Sequence, residues 1–252
     1  MALHVATALI LVAIAIGVSF RRRLGLEKDL AIAAVRALIQ LSLLAAVLGA
    51  VFAHFWLAAI VLPVMLGAAT FTSTRRMAGI PNAALVALTS IAVASAIALV
   101  ILFGLGAFRF IPDFFIPIAG MLIGNCMTAT SLAGARVRDE ITDKVLEVEA
   151  RLALGVPARD SLRPYTRRAA ANALIPTIDA TKNVGIVVLP GAFVGAALGG
   201  ASAARAAEVQ LIVLFMLLGA VSVAAMISTI LVAREFVGPG ERIVLPLEPR
   251  AH

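Results

Sequence analysis

The stretch IPTIDATKNVGIVVLPG (175–191) sets a carboxylate, an ammonium and an amide, Asp179, Lys182 and Asn183, at the head of an apolar run. The chemistry open to such a trio is narrow. A carboxylate can attract a cation, and an acid three residues ahead of a base can form a helical ion pair worth a few tenths of a kcal/mol when exposed. Hydrolysis needs more: a nucleophile with a base, paired carboxylates, or several metal ligands held together. Asp179 has no acidic companion inside the apolar runs, and His4, His54 and His252 fall in separate ends or loops. The single cysteine, Cys126, excludes an intramolecular disulfide and a multi-cysteine zinc site. No G-x-x-x-x-G-K-[ST] phosphate loop is present, so the chain is read as holding no cofactor, and any ATP that energises it is hydrolysed on another subunit.

Other polar residues punctuate the apolar runs. Arg36 and Gln40, four apart, share one helix face. They either line a permeation path, or Arg36 snorkels to headgroups while Gln40 bonds a neighbouring helix. Asn125, with Thr128 and Ser131, places small polar groups on an otherwise apolar helix, and polar groups in hydrocarbon need partners, so that face turns toward protein or water. Met121, Cys126 and Met127 point in different directions on a straight helix and read as packing rather than as soft metal ligands. Gly191, Gly195 and Gly199 form G-x-x-x-G-x-x-x-G, a flat groove for close helix packing, within the chain or against a second copy.

The elements that position these residues are membrane spans. The chain of 252 residues is 62% hydrophobic and 14% charged, with a mean hydropathy of +1.06, whereas soluble domains run near 25% charged. Apolar runs long enough for a hydrocarbon core of about 30 Å occur at about 3–20, 30–50, 55–72, 83–104, 114–133, 183–204 and 209–233. The expectation is therefore an all-α polytopic bundle of about seven transmembrane helices.

The triple arginine at 21–23 follows the first run instead of preceding it, which reads as a retained span with its N-terminus outside rather than a signal peptide. In that orientation nearly all basic residues fall inside, with Arg109 and Arg205 outside, and the C-terminus is cytoplasmic. The net charge of +7 is thereby explained as topology, which argues against nucleic-acid binding. Residues 1–237 form the permease domain, with a long cytoplasmic loop at about 134–175, and 238–252 form a mobile cytoplasmic tail.

Within the loop, Ile141, Val145, Val148 and Leu152 mark an amphipathic helix that ends at Gly155. Pro157 and Pro164 are expected to break the chain before it re-enters the membrane. Pro176 is expected in the first turn of a short entry helix, with Pro190 and Gly191 weakening the span beyond it. Residues 175–183 then read as a hinge and inner mouth, with Asp179 placed to meet a cation.

The segment EARLALG (149–155) resembles the E-A-A-x-x-x-G coupling motif of ABC-transporter permeases, with Arg151 replacing the second alanine. Glu149, Ala150, Leu154 and Gly155 are its matching or flanking positions. The blocks GMLIGNCMTATSLA (120–133), VEARLALG (148–155), ALIPTIDATKNVGIVVLPGAFVG (173–195) and VQLIVLFMLLGA (209–220) resemble the FetB family of iron-export ABC permeases, whose plant relatives are linked to aluminium tolerance. VRALIQLSLLAAVL (35–48) resembles it more loosely. The resemblance implies a permease of the bacterial inner membrane, two copies of which pair with two cytoplasmic ABC ATPase subunits to export a metal ion. The alternative is an ATP-independent, ion-coupled transporter or channel, against which the odd number of spans and the lack of internal repeats argue.

Overall fold

The computed structural model describes residues 2–53 and 55–244, and apart from one short hairpin these residues are all-α. The side chain of His4, His54, His252 and residues 245–252 of the expected tail lie outside the described part. The chain divides into two compact units at the Leu57–Ala58 junction. The first contains α1 (Ala2–Arg22), α2 (Glu27–Ala53) and a 3-10 turn, Phe55–Leu57. Arg23 and Gly25 reverse the chain with positive φ of 54° and 71°. Ser19, which is 1% exposed, locks that reversal: its hydroxyl donates to Glu27 Oε1 at 2.8 Å and accepts from the Leu26 N–H at 3.3 Å. Left without partners, a hydroxyl buried there would cost about 1–3 kcal/mol.

The second unit contains α3 (Ala58–Arg76), α4 (Ala83–Gly104), α5 (Pro112–Asp143), α6 (Val145–Ala153), α7 (Ala158–Lys182), α8 (Gly191–Leu198) and α9 (Ala203–Glu235), followed by β1 (Val237–Gly238) and β2 (Arg242–Ile243). Among the described residues, Phe55–Arg76, α4, α5 and α9 are long and apolar enough to cross a membrane. α5 and α9 form the centre: α5 packs on α3, α4, α7 and α9, and α9 also on α4, α7 and α8. Fully buried alanines at 87, 119, 133, 224 and 225 let these backbones approach closely. Hydroxyls then bond across the gaps, Ser228 Oγ to the Thr130 carbonyl at 3.0 Å and Ser73 Oγ to Ser131 Oγ at 2.8 Å.

Three local expectations are corrected. The region read as a polar loop is mostly helix, because α5 runs ten residues past Ala133, and at 32 residues it is about 48 Å long, well beyond a 30 Å core. Pro164 and Pro176 both lie inside α7 rather than breaking or starting a helix. α7 instead starts after Pro157, its buried stripe of Ser161, Leu162, Tyr165, Ala169 and Ala173 spans Pro164, and the helix continues through Pro176 to Lys182. The run 183–204 is not one helix. α7 stops at Lys182, residues 183–190 are irregular around Gly185 (φ 80°) and Pro190, and α8 is only eight residues long before Gly200 (φ 90°) turns the chain.

The broken segment still runs alongside α9. Ala173 packs with Ala133 and Ala225, and the Phe193 N–H donates to Gln210 Oε1 at 3.2 Å. The twenty residues from 173 to 193 thus advance past fifteen residues of α9, about 22 Å. Gly238, expected to open a mobile tail, is paired with Arg242 in the hairpin, and the Glu241 carboxylate accepts the Ala158 N–H at the start of α7 at 2.9 Å.

Candidate functional site

Where α7 approaches its break, α5, α7 and α9 line a half-open cavity of about 220 Å³. α5 contributes Asn125, Thr128, Ala129 and Leu132; α7 contributes Ala173, Pro176, Thr177, Ala180 and Thr181; α9 contributes Leu214 and Leu217. Each wall follows from helical spacing. On α5, positions i, i+3, i+4 and i+7 share a face, and on α7 positions i, i+1, i+4 and i+5 do so. Pro176, inside α7, removes the N–H that would bond the Asn172 carbonyl one turn earlier.

The polar lining bonds back onto its own helices. Asn125 Nδ2 donates to the Met121 carbonyl at 2.8 Å, Thr128 Oγ1 to that of Gly124 at 3.2 Å, and Thr181 Oγ1 to that of Thr177 at 2.8 Å. Ser131, grouped with Asn125 by sequence, turns about 110° away. It is buried against Ser73 of α3 and donates to the Met127 carbonyl of its own helix at 2.7 Å.

Asp179, Lys182 and Asn183 are exposed and do not line the cavity. At 100° per residue, the middle of α7's cavity face lies about 130° from Asp179 and about 170° from Lys182. The ion pairs among the described residues are Arg138–Asp139, Arg151–Glu147 and Arg205–Glu208, so the expected Asp179–Lys182 pair is not formed. Asn183 ends α7, and its carbonyl accepts the N–H groups of Val187 and Val188 at 3.0 and 3.2 Å. Arg36 and Gln40 are exposed on α2 of the first unit. Gly191 and Gly195 are exposed on α8 with open space where a Cβ would stand, while Gly199 meets only carbonyls of its own helix.

No group of three or more His, Cys, Asp or Glu among the described residues could hold a metal ion. Cys126 is fully buried, and Met121 and Met127 pack against the same core.

At the far end of α5 the short α6 buries Val148 in the main core and turns its opposite face outward. Leu146 is 78% and Leu154 84% exposed, with Glu149 and Ala150 exposed between them. The helix stops in a Schellman turn: the Gly155 N–H donates to the Leu152 carbonyl at 2.9 Å and the Val156 N–H to that of Arg151 at 3.1 Å, with Gly155 at φ 80°. The Tyr165 hydroxyl is buried without a hydrogen bond of full geometry. The group it approaches is the Glu147 carboxylate, whose titration it lowers, ahead of Arg151. Burial, and then Glu147 itself, push the Tyr165 hydroxyl's own titration up.

Reading the sequence misses Gln210, Glu241 and the threonines of α7. Gln210 carried a signal, since it is the one amide in the final apolar run. Thr177 and Thr181 carried none until α7 was known to continue through Pro176.

The family described as "Uncharacterised protein family (UPF0014)" matches residues 2–237. The chain is 37% identical to the UPF0014 membrane protein STAR2 of rice, over 87% of this chain and 78% of that protein. It is 36% identical to Protein ALUMINUM SENSITIVE 3 of Arabidopsis thaliana, over 90% and 84%. To the probable iron export permease protein FetB of Escherichia coli it is 33% identical, over 95% and 93%. No solved structure matches.

Proposed function

We propose that this chain, which belongs to the UPF0014 family, is the membrane permease subunit of an ABC transporter that exports iron or another metal ion, with ATP hydrolysed on a separate cytoplasmic subunit. The observation that carries the reading is α6: a helix anchored by Val148 on one side that shows water an apolar ridge of Leu146, Ala150 and Leu154 on the other. Leucines 78% and 84% exposed beside charged Glu149 suit a groove on a partner. The relative named as a probable iron export permease supports the cargo. In this reading Glu149, Ala150, Leu154 and Gly155 meet the ATPase, and α6 passes its motion to α5 and α7.

The crossing count stays at seven if α7's second half, residues 183–190 and α8 together make the sixth crossing. The N-terminus is then outside, the C-terminus inside, and the bilayer is the bacterial inner membrane. A second copy meets the open glycine face of α8. We assign the path's polar lining to Asn125 and Thr128, joined by Thr177 and Thr181. Asp179, Lys182 and Asn183 flank the approach on α7's other face.

The test is flux. Purified chain and its candidate ATPase are reconstituted in lipid vesicles, and export of iron(II) is followed with and without ATP. Flux that proceeds equally without nucleotide would refute ATP coupling. Glu149→Lys and Leu154→Asp are expected to abolish ATPase capture while leaving membrane insertion intact, and unchanged capture would refute the assignment of α6.

A further inference from the structure

The polarity of the cavity can be read from where its hydrogens go. Asn125, Thr128 and Thr181 each spend a donor on a carbonyl four residues back, at 2.8, 3.2 and 2.8 Å. What the two threonines turn to the cavity is therefore the accepting half of each group, two hydroxyl oxygens with free lone pairs, and Asn125 adds an amide oxygen beside its one uncommitted N–H. Thr177 adds a hydroxyl that can rotate. No carboxylate, imidazole or thiol stands among the lining residues, and leucines complete the wall.

Such a lining suits a ligand that brings its own hydrogen-bond donors, as the water shell of a cation does, but it cannot replace an ion's inner coordination shell. Hard divalent ions are held bare by about six close oxygens that include carboxylates, and small ones give up water reluctantly. A few neutral oxygens on two helices do not offset that loss. Water bound to a cation, in contrast, is a strong donor. Six waters at about 30 Å³ each fill roughly 180 Å³, which fits within about 220 Å³.

We propose that this cavity binds a metal cation with its water shell intact, recognised from outside that shell by the oxygens of Asn125, Thr128 and Thr181. The inference rests on the metal-permease reading. It makes charge and hydrated size the basis of selection, in place of ligand softness. The leucine wall leaves the hydrated ion few attachments, as passage requires.

Hexaamminecobalt(III) tests it, because its six ammine ligands do not exchange and can only donate hydrogen bonds. Purified full-length chain in lipid nanodiscs is titrated calorimetrically with iron(II) under anaerobic conditions, alone and against hexaamminecobalt(III). The expected result is competition, with the two affinities within about tenfold. Thr128→Val and Thr181→Val, isosteric but without the oxygen, each weaken the cobalt complex about tenfold, the order of one lost hydrogen bond to a charged group. Thr128→Ser and Thr181→Ser, which restore the oxygen, recover the affinity and separate its loss from misfolding. Iron(II) binding that hexaamminecobalt(III) fails to displace overturns the proposal and leaves the permease reading standing. Valine variants that bind the complex unchanged, or serine variants as weak as valine, overturn it as well. Failure of both cations to bind overturns it together with the metal-permease reading.

Discussion

Gly134→Ala and Gly120→Ala are the same substitution on the same helix, yet the packing assigns them opposite signs. A Cβ at Gly134 would overlap Met77 Sδ and lie 3.2 Å from Met77 Cγ and 3.3 Å from Ser228 Oγ. Met77 is fully buried, and the atom struck is in the middle of its side chain, so relief requires the whole residue to shift. Overpacking of this kind costs about 1–3 kcal/mol, while replacing a helical glycine by alanine returns up to about 1 kcal/mol. The net expectation is a loss of about 1 kcal/mol. At Gly120 the nearest atom is Met65 Cε at 2.6 Å, the terminal methyl of a partly buried chain that can rotate away. There the helical gain survives, at about 0.5–1 kcal/mol. For a chain of this size the melting temperature in detergent should fall by about 2–4 °C for Gly134→Ala and rise by a similar or smaller amount for Gly120→Ala. A double-mutant cycle isolates the cause: with Met77→Ala in the background, Gly134→Ala should become favourable, giving a coupling of about 2 kcal/mol. If Gly134→Ala stabilises as much as Gly120→Ala, or shows no coupling to Met77, the close approach of α3 and α5 is refuted.

Gln210→Leu strips the side-chain acceptor of the Phe193 N–H from the first turn of α8 and should cost about 1–3 kcal/mol, with amide exchange at Phe193 accelerating while that of α9 stays slow; unchanged exchange would dissociate α8 from Gln210. Glu241→Ala removes the acceptor from the Ala158 N–H and should cost about 1 kcal/mol, the size of a lost helix cap, read as faster proteolysis between α6 and α7. Glu147 is a carboxylate whose titration is lowered in the fold, so its contribution is present above its unfolded pKa and is lost as pH falls through the folded one. Tyr165→Phe removes the largest cause of that lowering, so the Glu147 titration should move up and the variant should lose less of its melting temperature on acidification from pH 7 than the parent does. An identical acid response in both would show that the hydroxyl does not act on Glu147.

The apolar runs were legible because span length is set by the bilayer, a constraint local to each run, and α4 falls on the predicted residues 83–104 without adjustment. The stop of α6 was legible too, since Gly155 at positive φ is a backbone requirement that residue type reveals directly. What was not legible depended on partners distant in sequence. Pro164 and Pro176 break helices as isolated residues; the stripe buried between Ser161 and Ala173 explains why α7 passes through Pro164, and the helix then runs on through Pro176. That continuation rotates Thr177 and Thr181 into the cavity and carries Asp179 out of it. Charge type drew the sequence reading to Asp179; helical phase, which needs the true start of the helix, decides the lining.

The break in the sixth apolar run follows from the same accounting. Irregular backbone at membrane depth is tolerated only where its polar groups find partners. Residues 183–190 close part of theirs internally: the Asn183 carbonyl takes two N–H groups, and the Gly185 N–H donates to the Val188 carbonyl at 2.9 Å. The turn presents Ile186 and Val187, 89% and 74% exposed, and the Val187 N–H is one of the groups so closed. A helix interrupted by such a self-closed turn bends without losing hydrogen bonds to its neighbours, because few of its bonds are shared with them. At its N-terminal end, α7 is fastened to a platform of α5, α6 and, through Glu241, the hairpin. Beyond the break, the side-chain hydrogen bond that holds α8 among the described residues runs from the Phe193 N–H to Gln210. Displacement of the platform would then be taken up at 183–190, within two residues of Thr181. The cavity lip is the part of the lining nearest the bend, so on the proposed coupling a motion begun at α6 would change the spacing of the α5 and α7 oxygens before it disturbed the alanine-packed centre.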